Sequence, residues 1–87
     1  MKVCFEHEGN NVVITRGILS SELYINSKLC DTCNGFTNNQ LKSINLKGVV
    51  DSSETVYKVC IETHFLYDLI ILYCSDILIE TRKVSMF

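Results

Sequence analysis

The residues of this chain best suited to chemistry are two cysteines, in the stretch K-L-C-D-T-C-N-G-F that begins at Lys28. A Cys-x-x-Cys pair on a tight turn supplies half of a tetrahedral zinc site, and a second pair normally supplies the rest. The remaining cysteines, Cys4, Cys60 and Cys74, are isolated, so Cys30 and Cys33 would have to recruit His7 or His64 with no motif to support it. A redox pair needs its first thiol at a helix start inside a βαβ unit. D-T-C-N-G-F is a poor helix start, and βαβ alternation is absent. The pair therefore reads as structural thiols, small hydrophobes that fill a core. A zinc site at Cys30 and Cys33 is the competing reading. On an uninterrupted strand, residues 30 and 33 would point to opposite faces and could not chelate together.

Other chemistry is thinner. In F-E-H-E (5–8), alternation puts Glu6 and Glu8 on one face and Phe5 and His7 on the other, so the carboxylates do not bracket the imidazole. A histidine with no paired base or nucleophile is weak support for acid–base catalysis. The Ser20-Ser21 and Ser52-Ser53 pairs lack oxyanion-loop glycines, and no phosphate-cradling glycine spacing exists. We expect no enzyme and no cofactor. The tyrosines are better suited to contact than to catalysis, because the ring contributes area while the hydroxyl stays wet. Tyr24 and Tyr73, with the acidic Glu6, Glu8, Asp31, Asp51 and Glu54, are the candidate partner-binding residues.

The chain of 87 residues is long enough for a single domain, 1–87, with one modest core. Eight basic residues against ten acidic ones leave a net charge of −2, and the basic residues are scattered. Sequence-independent phosphate binding has no footprint here, so we expect no direct nucleic-acid partner. The apolar run Phe65–Ile79 carries Asp68 and Asp76 and is shorter than the roughly 20 residues of a membrane span. It reads as core. Met1 leads straight into charged residues, with no leader pattern, and the five cysteines are an odd number. Both point to a reducing, cytoplasmic setting.

Few elements are available to hold these residues. There is no proline and only four glycines. Turn signals sit at 8–11, 25–28, 33–36 and 50–54. Between them, Val3–Glu6, Val12–Thr15, Leu23–Ile25, Val56–Glu62 and Leu69–Tyr73 have the length and residue types of strands. Residues 12–32 also resemble 59–81, with the extra length of the second copy absorbed near Leu69–Ile70. The alignment sets Ile14 with Ile61, Leu19 with Leu66, Tyr24 with Tyr73, Leu29 with Leu78 and Cys30 with Ile79. Each copy then holds a hairpin closed by a short polar turn, Asn26-Ser27 or Ser75-Asp76. In the first hairpin, Leu23 and Cys30 would be cross-strand neighbours on one face, and Tyr24 and Leu29 would share the other. A helix competes in two places. Thr37-x-x-Gln40 resembles a capping box before a short helix near 38–46. Within 63–80, helical spacing at Leu66, Leu69, Ile70, Tyr73 and Ile77 competes with a strand, which the β-branched run favours.

The order strand, L-Y-I-N-S-K-L-C, G-F, then V-C-I-E-T-H-F-L-Y-D-L-I-I-L-Y-C-S-D-I-L resembles the β-domain of the Fas apoptotic inhibitory molecule family. The likeness covers about Val12 to Lys83 and departs from that family in lacking tryptophan and turn glycines. It implies a compact antiparallel β structure and a non-enzymatic interaction domain, and it carries over no site residues. The expected architecture is an antiparallel β-sandwich or flattened barrel built from two similar hairpin-containing halves. The expected function is protein binding, as a small viral or phage inhibitor would bind and occlude a host protein with a basic surface. A small-ligand-binding barrel lined by Tyr24, Phe65 and Tyr73 is the alternative, and a homodimer through a strand edge is compatible with either.

Overall fold

Val, Ile, Tyr and Thr recur along this proline-free chain, and such residues fit a half-buried pleated surface. A computed structural model, which describes residues 1–17, 20–34, 43–50 and 54–85, shows where the pleats run. Among the described residues, eight strands form: β1 (Lys2–His7), β2 (Asn10–Arg16), β3 (Ser20–Ile25), β4 (Lys28–Asn34), β5 (Ser43–Val49), β6 (Val56–His64), β7 (Tyr67–Cys74) and β8 (Ile77–Ser85). They make two four-stranded antiparallel sheets, in the orders β1-β2-β3-β4 and β5-β6-β7-β8. The expected sandwich forms, and the sheets do not close into a barrel. No helix among the described residues is long and apolar enough to cross a membrane.

Tight turns make this sequential order possible. Glu8-Gly9, Asn26-Ser27 and Ser75-Asp76 all hold positive φ at both residues, the backbone whose twist matches that of the flanking strands. Asn26 suits its place because its side chain accepts from the Asn11 N–H at 2.9 Å and donates to Asn10 Oδ1 at 3.1 Å. The turns expected at Asn26-Ser27 and Ser75-Asp76 are both present. The helix expected near 38–46 is not supported where it can be seen. Ser43 to Leu46 belong to β5, and 38–42 lie outside the described residues. Across 63–80 the chain is strand, turn, strand, turn and strand, so the β-branched run prevails over the helical spacing.

The two hairpins match in detail. In β3–β4, Tyr24 pairs with Leu29 and Leu23 with Asp31, which leaves Cys30 as the extra residue of a bulge. In β7–β8, Tyr73 pairs with Leu78 and Leu72 with Glu80, which leaves Ile79 in the same position. The equivalence of Cys30 and Ile79 therefore holds, as does the Tyr24–Leu29 pair. Two expectations are corrected. Leu23 lies opposite Asp31 rather than Cys30, because the bulge inserts a residue. Pairing also sets Ile14 against Leu23 and Val59 against Leu72, so the structural counterpart of Ile14 is Val59 rather than Ile61. The extra length of the second copy extends the β6–β7 hairpin through Thr63–Asp68 and His64–Tyr67. Leu19, aligned with Leu66, lies outside the described residues.

Alternate residues of β1, β2, β3, β5, β6 and β7 face inward and form one core. Val3, Phe5, Val12, Ile14, Leu23 and Ile25 of the first sheet meet Ile44, Leu46, Tyr57, Val59, Ile61, Ile70, Leu72 and Cys74 of the second. Each fully buried aliphatic contributes about 1.5–3 kcal/mol. The corners of the sandwich differ. Where β4 meets β5, the Lys47 N–H donates to Asp31 Oδ2 at 2.9 Å. A Cβ on Gly48 would lie 2.7 Å from Ile25 Cδ1 and 2.8 Å from Cys30 Cβ. Only glycine allows this approach. At the other corner Arg82 reaches across from β8, donating to the Cys4 carbonyl at 2.8 Å and lying 4.4 Å above the Phe5 ring.

Candidate interaction surface

The cysteine pair that stands out in the sequence sits at the closed corner. The bulge at Cys30 resets the alternation of β4, so Cys30 and Cys33 both pack against the core. This corrects the expectation that they point to opposite faces. Cys30 Sγ is within 3.5 Å of the Lys28 carbonyl and lines an open groove of about 450 Å³ with Lys28, Asp31, Lys47 and Gly48. All the cysteines are free thiols. Burial pushes the Cys60 thiol up, with the Glu62 charge acting in the same direction. Among the described residues, no three His, Cys, Asp or Glu side chains gather as a metal site.

The proposed acidic contacts are divided. Glu6, Glu8 and Glu54 are exposed. They lie at the end of the sandwich that holds the Glu8-Gly9 and Ser75-Asp76 turns, where Ser75 N–H donates to the Val56 carbonyl at 2.9 Å. Asp31 is on β4, held by Lys47 N–H, and Asp51 lies outside the described residues. The tyrosines are separated as well. Tyr24 is partly exposed on the first sheet and donates to Glu22 Oε2 at 2.5 Å; this bond, then burial, raises its phenol above the ordinary value. Tyr73 is partly exposed on the second sheet beside Leu78. Phe65 is at a hairpin tip, so Tyr24, Phe65 and Tyr73 do not line one cavity.

Two further polar arrangements join the sheets, and both depend on a tertiary meeting that the sequence does not show. Tyr57 is fully buried on β6. Its hydroxyl lies 3.0 Å from His7 Nδ1 and 3.2 Å from Asn10 Nδ2, and donates to the His7 carbonyl at 3.3 Å. Burial raises this phenol above its ordinary value, the Asn10 bond partly offsetting it. At the opposite end Arg16 pairs with Asp68 at 2.5 Å, their side chains only 9% and 10% exposed, and donates to Thr63 Oγ1 at 3.0 Å. Asp68, one of the charges that argue against a membrane span, is a buried tie between the sheets.

What the strands leave uncovered belongs mostly to the second sheet. The β6–β7 hairpin ends at Phe65, 87% exposed, and Leu66, 45% exposed and held at φ 74. Behind this tip His64 stacks on Tyr67 at 4.8 Å, and Lys83 Nζ lies 4.2 Å above the same Tyr67 ring. Along β8, Ile77, Leu78 and Ile79 are 65%, 56% and 36% exposed. The apolar character of this run predicts core, and the structure instead leaves it exposed. Its position as the last strand of a sequential sheet, which makes it an edge, was the signal available. Comparison with known proteins finds no family model, no curated protein and no solved structure that matches this chain.

Proposed function

We propose that this chain is a non-enzymatic protein-binding module whose contact group is the tip of the β6–β7 hairpin. The observation that carries this reading is a phenylalanine 87% exposed beside a leucine at φ 74. A leucine in the left-handed region costs about 1–2 kcal/mol, and such strain is characteristic of functional turns. Large aromatics are the residues that anchor protein interfaces, and a tip already held in place loses little freedom on binding. The stack of His64 on Tyr67 and the Lys83 ammonium over that ring brace it from behind. The resemblance of the hairpins to the Fas apoptotic inhibitory molecule β-domain supports the same non-catalytic class.

The test compares the wild type with Phe65→Ser. The substitution removes an exposed ring, so stability should stay within about 0.5 kcal/mol of wild type. In affinity capture from native lysate, proteins retained by the wild type should be lost by the variant. An unchanged set, or none retained by the wild type, overturns the proposal.

A further inference from the structure

We propose that the outer edge of β8 is a self-association surface, on which β8 of a second copy pairs antiparallel about a twofold axis through Thr81. This proposal rests on residues other than the hairpin tip and stands apart from the reading above. It begins with the contrast between two equivalent strands. β4 has its corner closed by β5 through Asp31, Lys47 and Gly48. The outer edge of β8 pairs with no strand among the described residues, although the Arg82 side chain crosses to the Cys4 carbonyl, and it leaves Ile77 65% and Leu78 56% exposed. An apolar strand edge is a template for another strand.

The order of residues along β8 identifies which strand. In an antiparallel pair, residues directly opposite either both bond across the pair or both face away. Adjacent residues alternate in this respect, so a twofold between identical strands passes through a residue facing its own copy. β8 runs from Ile77 to Ser85, and its middle residue is Thr81, so an axis there overlaps the entire strand. It also sets Glu80 opposite Arg82 of the second copy, twice over. Moving the axis to Glu80 or Arg82 places like charges face to face, which is destabilising. Within one copy Glu80 and Arg82 already pair at 2.6 Å, with both side chains about two-fifths exposed at 43% and 41%. Two copies would form a four-membered ring of alternating charge. Lys83 and Val84 then lie beside the apolar Ile77–Ile79 run of the other copy, covering it with alkyl chain. The bulge at Ile79 ends the regular ladder, so the flanks meet by side-chain packing. The interface is isologous and uses the β8 edges of both copies, so it closes as a dimer and does not propagate.

The experiment uses the full chain. Sedimentation over a concentration series should show a monomer–dimer equilibrium. Glu80→Arg should raise its dissociation constant about tenfold or more, and adding Arg82→Glu should restore it. The register is read separately, in a Cys4→Ser background that removes the exposed native thiol. Under diamide oxidation, Thr81→Cys should give a covalent dimer, because opposite Cα atoms at about 4.5–5.5 Å suit a disulfide. Lys83→Cys, displaced from the axis, should not. A monomer at every concentration, or equal cross-linking of both variants, overturns the proposal. Phe65→Ser should dimerise like the wild type, so failure at the tip and failure at the edge remain distinct.

Discussion

The two halves of this protein use one hairpin design and end it in opposite ways. β3–β4 and β7–β8 share a turn with positive φ at both residues, a tyrosine before it paired with a leucine after it, and a bulge at the third residue of the return strand. In the first half that strand reads Lys28-Leu29-Cys30 and is capped by β5; in the second it reads Ile77-Leu78-Ile79 and is open to solvent. The hairpin itself therefore does not decide whether its edge is buried. What decides is the next strand and whether its backbone fits. Gly48 supplies that fit, because any side chain there would collide with Ile25 and Cys30. The more polar edge is the covered one, and the more apolar edge is left bare. A sandwich concerned only with stability would do the reverse.

Substitutions at three places probe this asymmetry. The largest effect is expected at the tie between the sheets beside the long β6–β7 hairpin. Asp68→Ala leaves the Arg16 guanidinium buried with its carboxylate partner gone and should cost about 3–5 kcal/mol in urea unfolding. The double change Arg16→Met with Asp68→Leu should recover most of it. If the single change costs under about 1 kcal/mol, the tie is not what holds this end of the sandwich.

Next is the closed corner. Gly48→Ala drives a methyl to 2.7 Å from Ile25 Cδ1 and 2.8 Å from Cys30 Cβ, an overpacking cost of about 1–3 kcal/mol. Ile79→Ala, at the equivalent place on the open corner, should cost less than Gly48→Ala. Equal losses measured by chemical denaturation would remove the distinction between the corners.

The smallest of the three is Tyr57→Phe, which deprives His7 and Asn10 of a partner and should cost about 1 kcal/mol near neutral pH. Its pH dependence is the sharper readout. A phenol raised by burial stabilises the fold fully below its ordinary value of about 10, and stability falls as pH rises from there through the raised value. Tyr24, raised by its bond to Glu22, acts in the same direction. The variant should therefore flatten the alkaline loss of stability without abolishing it. An alkaline limb identical to wild type would show that Tyr57 does not titrate with unfolding.

Much of the fold was legible because local rules and the global structure agree. The five strand runs read from β-branched and aromatic residues all lie within strands, and the Asn26-Ser27 and Ser75-Asp76 turns are where polar residues tolerant of positive φ placed them. Ser43 to Leu46 misled because I-N-L alternates with polar residues and also satisfies a helical face. Pairing with β6 settles that choice, and pairing is not local. The candidate site was less legible. Glu6 is exposed on β1, whereas Glu8 sits in the turn at φ 50 and does not continue the strand's alternation; nothing in composition shows that Ile77–Ile79 forms an edge, or that Phe65 caps a hairpin longer than its counterpart. Apolar character marks a residue as suited to burial. Whether it is buried within the chain or offered to another surface depends on which strands remain to cover it.

The sequential order of the sheets also bears on how the chain reaches this structure. Every ladder joins strands adjacent in the sequence, so each hairpin closes over a short loop, with little entropy lost before its contacts form. The meeting of the sheets is different. Tyr57 with His7, Arg16 with Asp68 and Arg82 with Cys4 all join residues far apart in the chain. Assembly is thus expected as two quickly formed meanders followed by a slower docking step. Mutations at Asp68 should retard folding to the extent that this pair forms in the docking transition state.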